Sequence, residues 1–277
     1  MAGCATMKKG LSTMARLKSV VAPSPRTYRG LLHAANSRYA IDIDWKPGSE
    51  RVLVLAPHMD DEVLGCGGTL ALHERAGAHI TVAFLTDGSQ GSVALAGLHG
   101  GALRAAQAEL VGVRKAEAQR ARVELGIAEL IFLDAADGML AEDSEAGRKL
   151  KTVIEECRPQ IVYLPSHLEQ HPDHRAVSAL LLAAVADSRL DFACHAYEVW
   201  TPLYGNCLVA IDSVLESKRR ALAHYRSQLE VADFEHGILG LNAYRAMLRP
   251  RPDRRYAEAF LALPLREYLA MYRQFST

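Results

Sequence analysis

The sequence predicts a Rossmann-like α/β fold, with a mainly parallel sheet, helices on both faces and a site at the carboxyl ends of the strands. Short apolar runs rich in β-branched residues alternate with segments of helical length, which is the pattern of right-handed β-α-β units. The first run, RVLVLA at residues 51–56, is almost continuously apolar, so this strand is expected to be buried on both faces. In such sheets ligands bind beyond the carboxyl ends of the strands.

The individual elements follow from hydrophobic periodicity and from turn residues. Strands are predicted at residues 51–56, 79–85, 130–133, 160–164 and 196–200. Helices are predicted at residues 62–76, 114–125, 145–156 and 173–186. Residues 88–112 are rich in glycine and alanine, and we expect a long loop there, which could include a short helix. After residue 212 the chain is expected to be mostly helical, at residues 213–229 and 237–248.

Composition and charge restrict the class of protein. We expect an N-terminal extension at residues 1–45 and a single domain at residues 46–277. Lys plus Arg and Asp plus Glu both number 32, so no bulk attraction to nucleic acid or to an anionic membrane is expected. No segment reaches the roughly 18 to 20 apolar residues of a transmembrane helix. The five cysteines are scattered, which favours a reducing, cytoplasmic location over a disulfide framework.

Histidine and acidic residues follow two of the predicted strands. They form HMDDE at residues 58–62 and HPDH at residues 171–174. Because the carboxyl ends of parallel strands lie on the same rim of a sheet, the two clusters are expected to form one site. Crowded carboxylates repel one another unless a positive charge lies among them, and a divalent cation provides it.

The residue types favour zinc over magnesium at this site. A catalytic zinc takes three protein ligands and leaves a position for water, and two histidines with one carboxylate meet that count. The remaining carboxylate can accept a proton from water, and the remaining histidine can stabilise an oxyanion or protonate an amine. In a purely structural alternative, the acids complement a helix dipole and HPDH caps a helix. Two such clusters at strand ends in one chain favour the metal site.

At these residues the sequence resembles the LmbE-like, or PIG-L, deacetylase family. The family's Pro-His-Pro-Asp-Asp-Glu run matches residues 57–62, with Met59 in place of the second proline. Its His-x-Asp-His motif matches residues 171–174 in full, and weaker similarities extend over residues 50–262. The resemblance implies a zinc-dependent deacetylase. Met59 removes the fixed φ of proline but no ligand, so a change in loop stiffness is expected.

The resemblance also implies a role for each matching residue. One zinc per chain would have three ligands: His58, Asp61 and His174. Asp60 would be the general base, His171 would stabilise the oxyanion or protonate the departing amine, and Asp173 would orient a histidine.

Substrate contacts are expected from Arg114 and from the strand-end residues Thr86 and Asp87. Tyr225 stands where many relatives have a histidine, which leaves any substrate contact at that position open.

The expected function is zinc-dependent hydrolysis of the acetamide of an N-acetylglucosamine-type sugar or glycoconjugate. The preference for a sugar comes from the resemblance. Two alternatives stay open: a zinc amidase acting on a non-sugar amide, such as a thiol conjugate or an acylated natural product, and a non-catalytic, cation-dependent protein that binds a sugar or nucleotide. The partner is expected to be a small molecule or glycoconjugate, with no nucleic acid, and a homo-oligomer is left open.

Overall fold

A computed structural model describes residues 45–248 and 250–275, in which strands and helices alternate for most of the length. The strands are β1 Arg51–Ala56, β2 His79–Thr86, β3 Glu129–Ala135, β4 Ile161–Pro165, β5 Ala193–Tyr197, β6 Cys207–Ala210 and β7 Ala257–Pro264. Within the described residues they form one seven-stranded sheet in the order β3-β2-β1-β4-β5-β7-β6. Strands β1 to β5 pair in parallel, whereas β7 is antiparallel to both β5 and β6.

Four of the helices connect the parallel strands, and together the helices cover both faces of the sheet. They are α1 Asp61–Arg75, α2 Gly100–Leu125, α3 Ser144–Cys157, α4 Pro172–Val185, α5 Leu215–Leu222, α6 Arg226–Leu229, α7 Phe234–Met247 and α8 Leu265–Phe275. The predicted α/β fold with a mainly parallel sheet is therefore confirmed. No helix in residues 45–248 and 250–275 combines the length and the apolar character needed to cross a bilayer.

Alternate residues of β1 point into two separate cores. Val52 and Val54 pack in one core with side chains of α1, α2 and α5. Leu53 and Leu55 pack in the other with side chains of α3, α4 and α8. A strand that is buried on both faces in this way has no polar face, which explains the continuous apolar run in its sequence.

At residues 88–112 a long loop that could include a short helix was predicted, and this prediction is wrong from residue 100 onward. Helix α2 begins at Gly100 and extends over 26 residues, and only a short 3-10 turn at Val93–Leu95 lies in the loop before it. Alanine has the highest helix propensity of all residues, and the alanines of residues 102–108 outweigh the two glycines of the first turn.

The fifth predicted strand is displaced along the chain. Strand β5 ends at Tyr197, whereas residues 198–200 were expected to continue it. The chain turns there because the buried carboxylate of Glu169 accepts hydrogen bonds from the backbone of Val199 and Trp200, at 2.6 and 3.0 Å. These N–H groups are therefore bound to a side chain and not to a neighbouring strand.

The C-terminal part is less helical than predicted. Residues 213–229 form a 3-10 turn and two short helices, α5 and α6, and β6 and β7 were not predicted. Strand β7 contains Glu258, which is only 1% exposed. A buried acid at the second position of the strand obscures its apolar pattern. The predicted extension at residues 1–45 lies outside the described residues, apart from Trp45.

A buried ion pair holds α1, the helix that begins at the acidic cluster. Lys218 Nζ lies 2.7 Å from Glu258 Oε1 and donates to the Leu64 carbonyl at 3.0 Å. Glu258 accepts from the backbone of Gly68 and Thr69, at 2.8 and 2.7 Å. In a regular helix Leu64 O and Gly68 N would bond to each other, so the pair binds directly to the backbone of α1 and links it to α5 and β7.

Candidate metal and active site

The loop after β1 is held by the end of the neighbouring strand. Thr86 donates to the Pro57 carbonyl through both its backbone N–H, at 3.0 Å, and its hydroxyl, at 2.8 Å. Asp60 then takes a φ of 139°, a conformation that L-residues rarely adopt and that is often found at functional sites. Its carbonyl accepts from Val63 and Leu64 at 2.9 Å, so α1 starts immediately after the turn.

The three residues expected to bind a metal meet at one carboxylate oxygen. Asp61 Oδ2 lies 3.3 Å from His58 Nδ1 and 3.2 Å from His174 Nε2. The same oxygen accepts from the His58 backbone at 2.9 Å. His174 is fully buried, and neither of its ring nitrogens makes a well-formed hydrogen bond within the described part of the chain. Unpartnered imidazole nitrogens beside a buried carboxylate fit a bound divalent cation.

His171 lies at the more open side of the same cluster. Its ring centroid is 4.7 Å from that of His58 and 5.2 Å from that of His174. Each of these three histidines has one potential ligand nitrogen that lies within 4.8 Å of those of the other two. His171 is also the N-cap of α4, because its Nδ1 accepts from the Asp173 backbone at 3.3 Å. The structure therefore brings together His171 and the three expected ligands.

Two carboxylates lie on the other side of His58. Asp173 Oδ2 is 3.2 Å and Asp137 Oδ1 is 3.3 Å from His58 Nε2, so both carboxylates contact the ring nitrogen of His58 that faces away from Asp61. Asp137 was not predicted as a site residue, although the Asp137-Gly138 pair follows β3 closely on the same rim of the sheet. His58, Asp137 and Asp173 form a second group that could hold a cation.

A further acid that the sequence analysis missed lies beside His174. Glu169 Oε2 is 3.8 Å from His174 Nδ1, and the carboxylate is 1% exposed. It accepts from the backbone of Val199, Trp200 and Thr201. No motif includes Glu169. Its position between β4 and the HPDH cluster is the sequence feature that indicates a place near the site.

The site carboxylates have opposite electrostatic environments. Burial and the neighbouring Asp61 charge raise the pKa of Asp60 well above its usual value, although Arg114 and His58 act in the opposite direction. Burial also opposes the charge of Asp61, but the imidazoles of His174 and His58 lower the pKa of Asp61 overall. One of two adjacent acids is therefore held as an anion, and the other has a raised affinity for a proton, which suits a ligand and a general base respectively.

The expected substrate-contact residues differ in their surroundings. Arg114 is 3% exposed and its Nη1 lies 3.9 Å from Asp137 Oδ2, so its guanidinium is inside the site region. Thr86 is fully buried, with its hydroxyl bound to Pro57. Asp87 accepts from the backbone of Ser89 at 2.9 Å. The side chains of Thr86 and Asp87 thus hold the surrounding loops, and Asp87 also accepts from the Asp137 backbone at 3.3 Å. Arg114 places its guanidinium beside the Asp137 carboxylate.

Met59, the departure from the family motif, is a packing residue. It is fully buried, and a Cβ at Gly88 would lie 2.7 Å from Met59 Cε and 2.9 Å from Arg114 Nη1. Tyr225, the other departure, donates through its hydroxyl to Glu62 Oε1. Burial raises the pKa of Glu62 to about 7, with the Tyr225 hydrogen bond opposing that shift.

The fold and the site define the class of protein. It is an α/β protein with helices on both faces of its sheet and a candidate metal site of His and Asp residues at the carboxyl ends of β1 and β4. Residues 53–185 match the family described as PIG-L, GlcNAc-PI de-N-acetylase. The diacetylchitobiose deacetylase of Thermococcus kodakarensis is 29% identical over 233 residues, covering 78% of this chain and 84% of the relative.

Two other comparisons agree. A probable N-acetyl-α-D-glucosaminyl L-malate deacetylase 2 of Bacillus cereus is 33% identical over 190 residues, covering 65% of this chain and 84% of the relative. The crystal structure of the conserved protein TT1542 from Thermus thermophilus superimposes with a TM-score of 0.62 at 29% identity, covering 76% of this chain and 94% of that one. The chain belongs to the PIG-L family of de-N-acetylases, which confirms the resemblance drawn from its two motifs.

Proposed function

We propose that this protein is a zinc-dependent deacetylase that hydrolyses the acetamide of an N-acetylglucosamine-type sugar or glycoconjugate. The observation that carries the proposal is the meeting of His58 Nδ1 and His174 Nε2 at Asp61 Oδ2, next to a second buried acid, Asp60. The named deacetylases among its relatives act on sugars that carry an N-acetyl group.

In this proposal His58, Asp61 and His174 hold one zinc ion. The two imidazoles and one carboxylate leave room for water in a four-coordinate site. When bound, zinc supplies Lewis-acid polarisation of the substrate carbonyl and makes water a stronger acid. Asp173 positions His58, because it lies against the imidazole nitrogen that faces away from Asp61.

Two side chains move the protons of the reaction. Asp60 accepts a proton from the attacking water, and its raised pKa makes it a stronger base than an ordinary carboxylate. His171 lies at the open side of the cluster, 4.7 Å from the His58 ring, where it donates a hydrogen bond to the developing oxyanion or a proton to the departing amine. The products are acetate and a free amine.

Arg114 contributes substrate recognition in this account. Its buried guanidinium carries several N–H donors and lies beside Asp137. A donor group and an acceptor carboxylate placed together suit the hydroxyls of a sugar. Arg114 Nε has no hydrogen-bond partner within the described residues. A wholly apolar amide would leave that donor unpaired, which is costly in a buried site.

The test combines metal analysis with an assay for released amine. Purified protein is expected to contain zinc, to deacetylate N-acetylglucosamine or N,N′-diacetylchitobiose, and to lose activity with a chelator and regain it with zinc. His58→Ala is expected to abolish metal binding, and His224→Ala, which changes a histidine that pairs with Glu124 and not with a residue of the cluster, serves as the matched control. Hydrolysis that survives complete metal removal, or turnover of N-acetylcysteine with no turnover of any N-acetyl sugar, would contradict the proposal.

A further inference from the structure

Trp200 is an aromatic side chain that the fold leaves half exposed. Its exposed fraction is 50%, although the strand before it is buried. Large apolar side chains held at the surface beside a site are often part of a binding surface. The indole is not loose, because the Phe234 ring packs edge-on against it with centroids 5.5 Å apart at an interplanar angle of 76°. One side of the indole is therefore supported while half of the residue stays open.

The backbone of Trp200 is tied to the metal cluster through one carboxylate. Its N–H donates to Glu169 Oε2 at 3.0 Å, and the same oxygen lies 3.8 Å from Nδ1 of His174. A second link comes from the next residue, because Thr201 Oγ1 accepts from the backbone of Gln170 at 3.1 Å. Gln170 directly precedes His171. The turn that carries Trp200 therefore lies against the segment that carries both histidines of the second cluster.

The strand order places Trp200 on the opposite flank from Arg114 and Asp137. The sheet runs β3-β2-β1-β4-β5 on this side, and the metal cluster follows β1 and β4. Asp137 follows β3, whereas Trp200 follows β5. Trp200 therefore lies on the β5 side of the metal cluster, next to the loop that carries Glu169 and His171.

We propose that Trp200, supported by Phe234, is a stacking platform for a second pyranose ring of the substrate. This inference rests on the proposed function. The N-acetylated ring is bound at the metal and at the polar Arg114 flank, and the next ring of the chain lies with its apolar face on the indole. Rigid aromatic side chains with a supported back provide a large contact area at low entropic cost. The preferred substrate is accordingly a di- or oligosaccharide, and a free monosaccharide is a poorer substrate.

The kinetic test compares two substrates in the zinc-loaded enzyme. Trp200→Ala is expected to lower the ratio of kcat/KM for N,N′-diacetylchitobiose to kcat/KM for N-acetylglucosamine about tenfold, equivalent to about 1.4 kcal/mol of transition-state binding. Trp200→Phe, which keeps an aromatic face, should restore most of that ratio. Tyr244→Ala is the matched control, because Tyr244 is similarly exposed, at 53%, and lies on α7.

An unchanged ratio in Trp200→Ala would overturn the platform while leaving the deacetylase function intact. An equal loss on both substrates would also overturn it, since that pattern indicates a structural role or an interface between subunits. Failure of the wild-type protein to deacetylate either sugar would instead contradict the proposed function.

A binding measurement tests the platform independently of turnover. The chain contains two tryptophans, so Trp45→Phe leaves Trp200 as the sole indole fluorophore. Titration of this variant with chitobiose and chitotriose is expected to shift or quench the emission, and N-acetylglucosamine to do so much less at equal concentration. An emission spectrum that responds identically to all three sugars, or to none, would overturn the proposal.

Discussion

The carboxylate of Asp173 lies 3.2 Å from Nε2 of His58, although the two residues are 115 positions apart in the sequence. The carboxylate of Asp173 is fixed in turn by two hydrogen bonds that it accepts, from the backbone N–H of Gly138 at 2.8 Å and of Leu140 at 3.1 Å. One nitrogen of the imidazole is thereby fixed, and the other, Nδ1, faces Asp61. These contacts join the loops after β1, β3 and β4 around His58, the proposed metal ligand.

Asp173→Asn should weaken metal binding without unfolding the protein. The amide keeps the shape but removes the charge that orients His58, and loss of such a partner typically lowers metal affinity about 10- to 100-fold. Competition with a chromogenic chelator gives the apparent zinc affinity. Asp143→Asn is the control, since Asp143 caps α3 and lies outside the cluster. Equal affinities for the two variants would show that Asp173 does not position His58.

Gly88→Ala should reduce both stability and activity. Gly88 has a φ of 64°, and a Cβ there would lie 2.7 Å from Met59 and 2.9 Å from Arg114. The substitution forces a side chain into left-handed backbone and displaces the guanidinium, so KM for an N-acetyl sugar is expected to rise. Gly101→Ala is the control, because a Cβ at Gly101 meets nothing within 4 Å and alanine favours the helix. Thermal unfolding and steady-state kinetics give both readouts, and a Gly88→Ala enzyme with unchanged KM would refute the contact.

Glu258→Gln should destabilise the fold strongly. It leaves the buried ammonium of Lys218 without its carboxylate, and breaking such a pair typically costs about 3–5 kcal/mol. The double variant Lys218→Met/Glu258→Leu removes both charges and should lose less stability than the single one. Urea unfolding measures the free energies. A single variant that is as stable as the wild type would mean that the pair does not hold α1.

Stability should fall as the pH drops below about 6.5, with His195 as one cause. Burial lowers the pKa of His195 to about 3, below the value of about 6.5 in an unfolded chain. Between these values the unfolded chain binds the proton and the folded chain does not. The contribution is therefore complete above about pH 6.5 and is lost progressively toward pH 3, with a slope approaching about 1.4 kcal/mol per pH unit.

His195→Leu supplies the comparison for this pH dependence. The variant should show a shallower loss of unfolding free energy between pH 7 and pH 5 than the wild type, whatever its absolute stability. Urea titrations at both pH values measure the difference. Identical slopes would exclude His195 as a contributor.

The parallel half of the fold could be predicted because its signals are local. The run at residues 51–56 is apolar because both faces of β1 are buried, and the turn residues mark its end. The antiparallel β7 was missed because its buried acid, Glu258, depends on Lys218, 40 residues away in the sequence. The predicted helix begins at residue 114 and not at Gly100, because the glycines of residues 88–112 mask the helix propensity of the alanines between them.

The site could be predicted in part for the same reason. Asp60, Asp61, His171 and His174 lie in two compact motifs next to strand ends, and the sheet brings the motifs together. Asp137 and Glu169 were missed because each is a single acid whose role depends on contacts across the rim, to His58 and His174. The burial of Arg114 likewise depends on how α2 packs, which no local pattern in residues 100–125 indicates.

The measurement that tests the central claim most directly is the turnover of a metal-loaded Asp60→Asn enzyme. Asp60 is the proposed base, and the amide cannot accept the proton of water. The variant is expected to retain its zinc while kcat for an N-acetyl sugar falls about 10²- to 10⁴-fold. Asp143→Asn, assayed in parallel, should keep wild-type kcat. A zinc-replete Asp60→Asn enzyme that deacetylates the sugar at the wild-type rate would contradict the account.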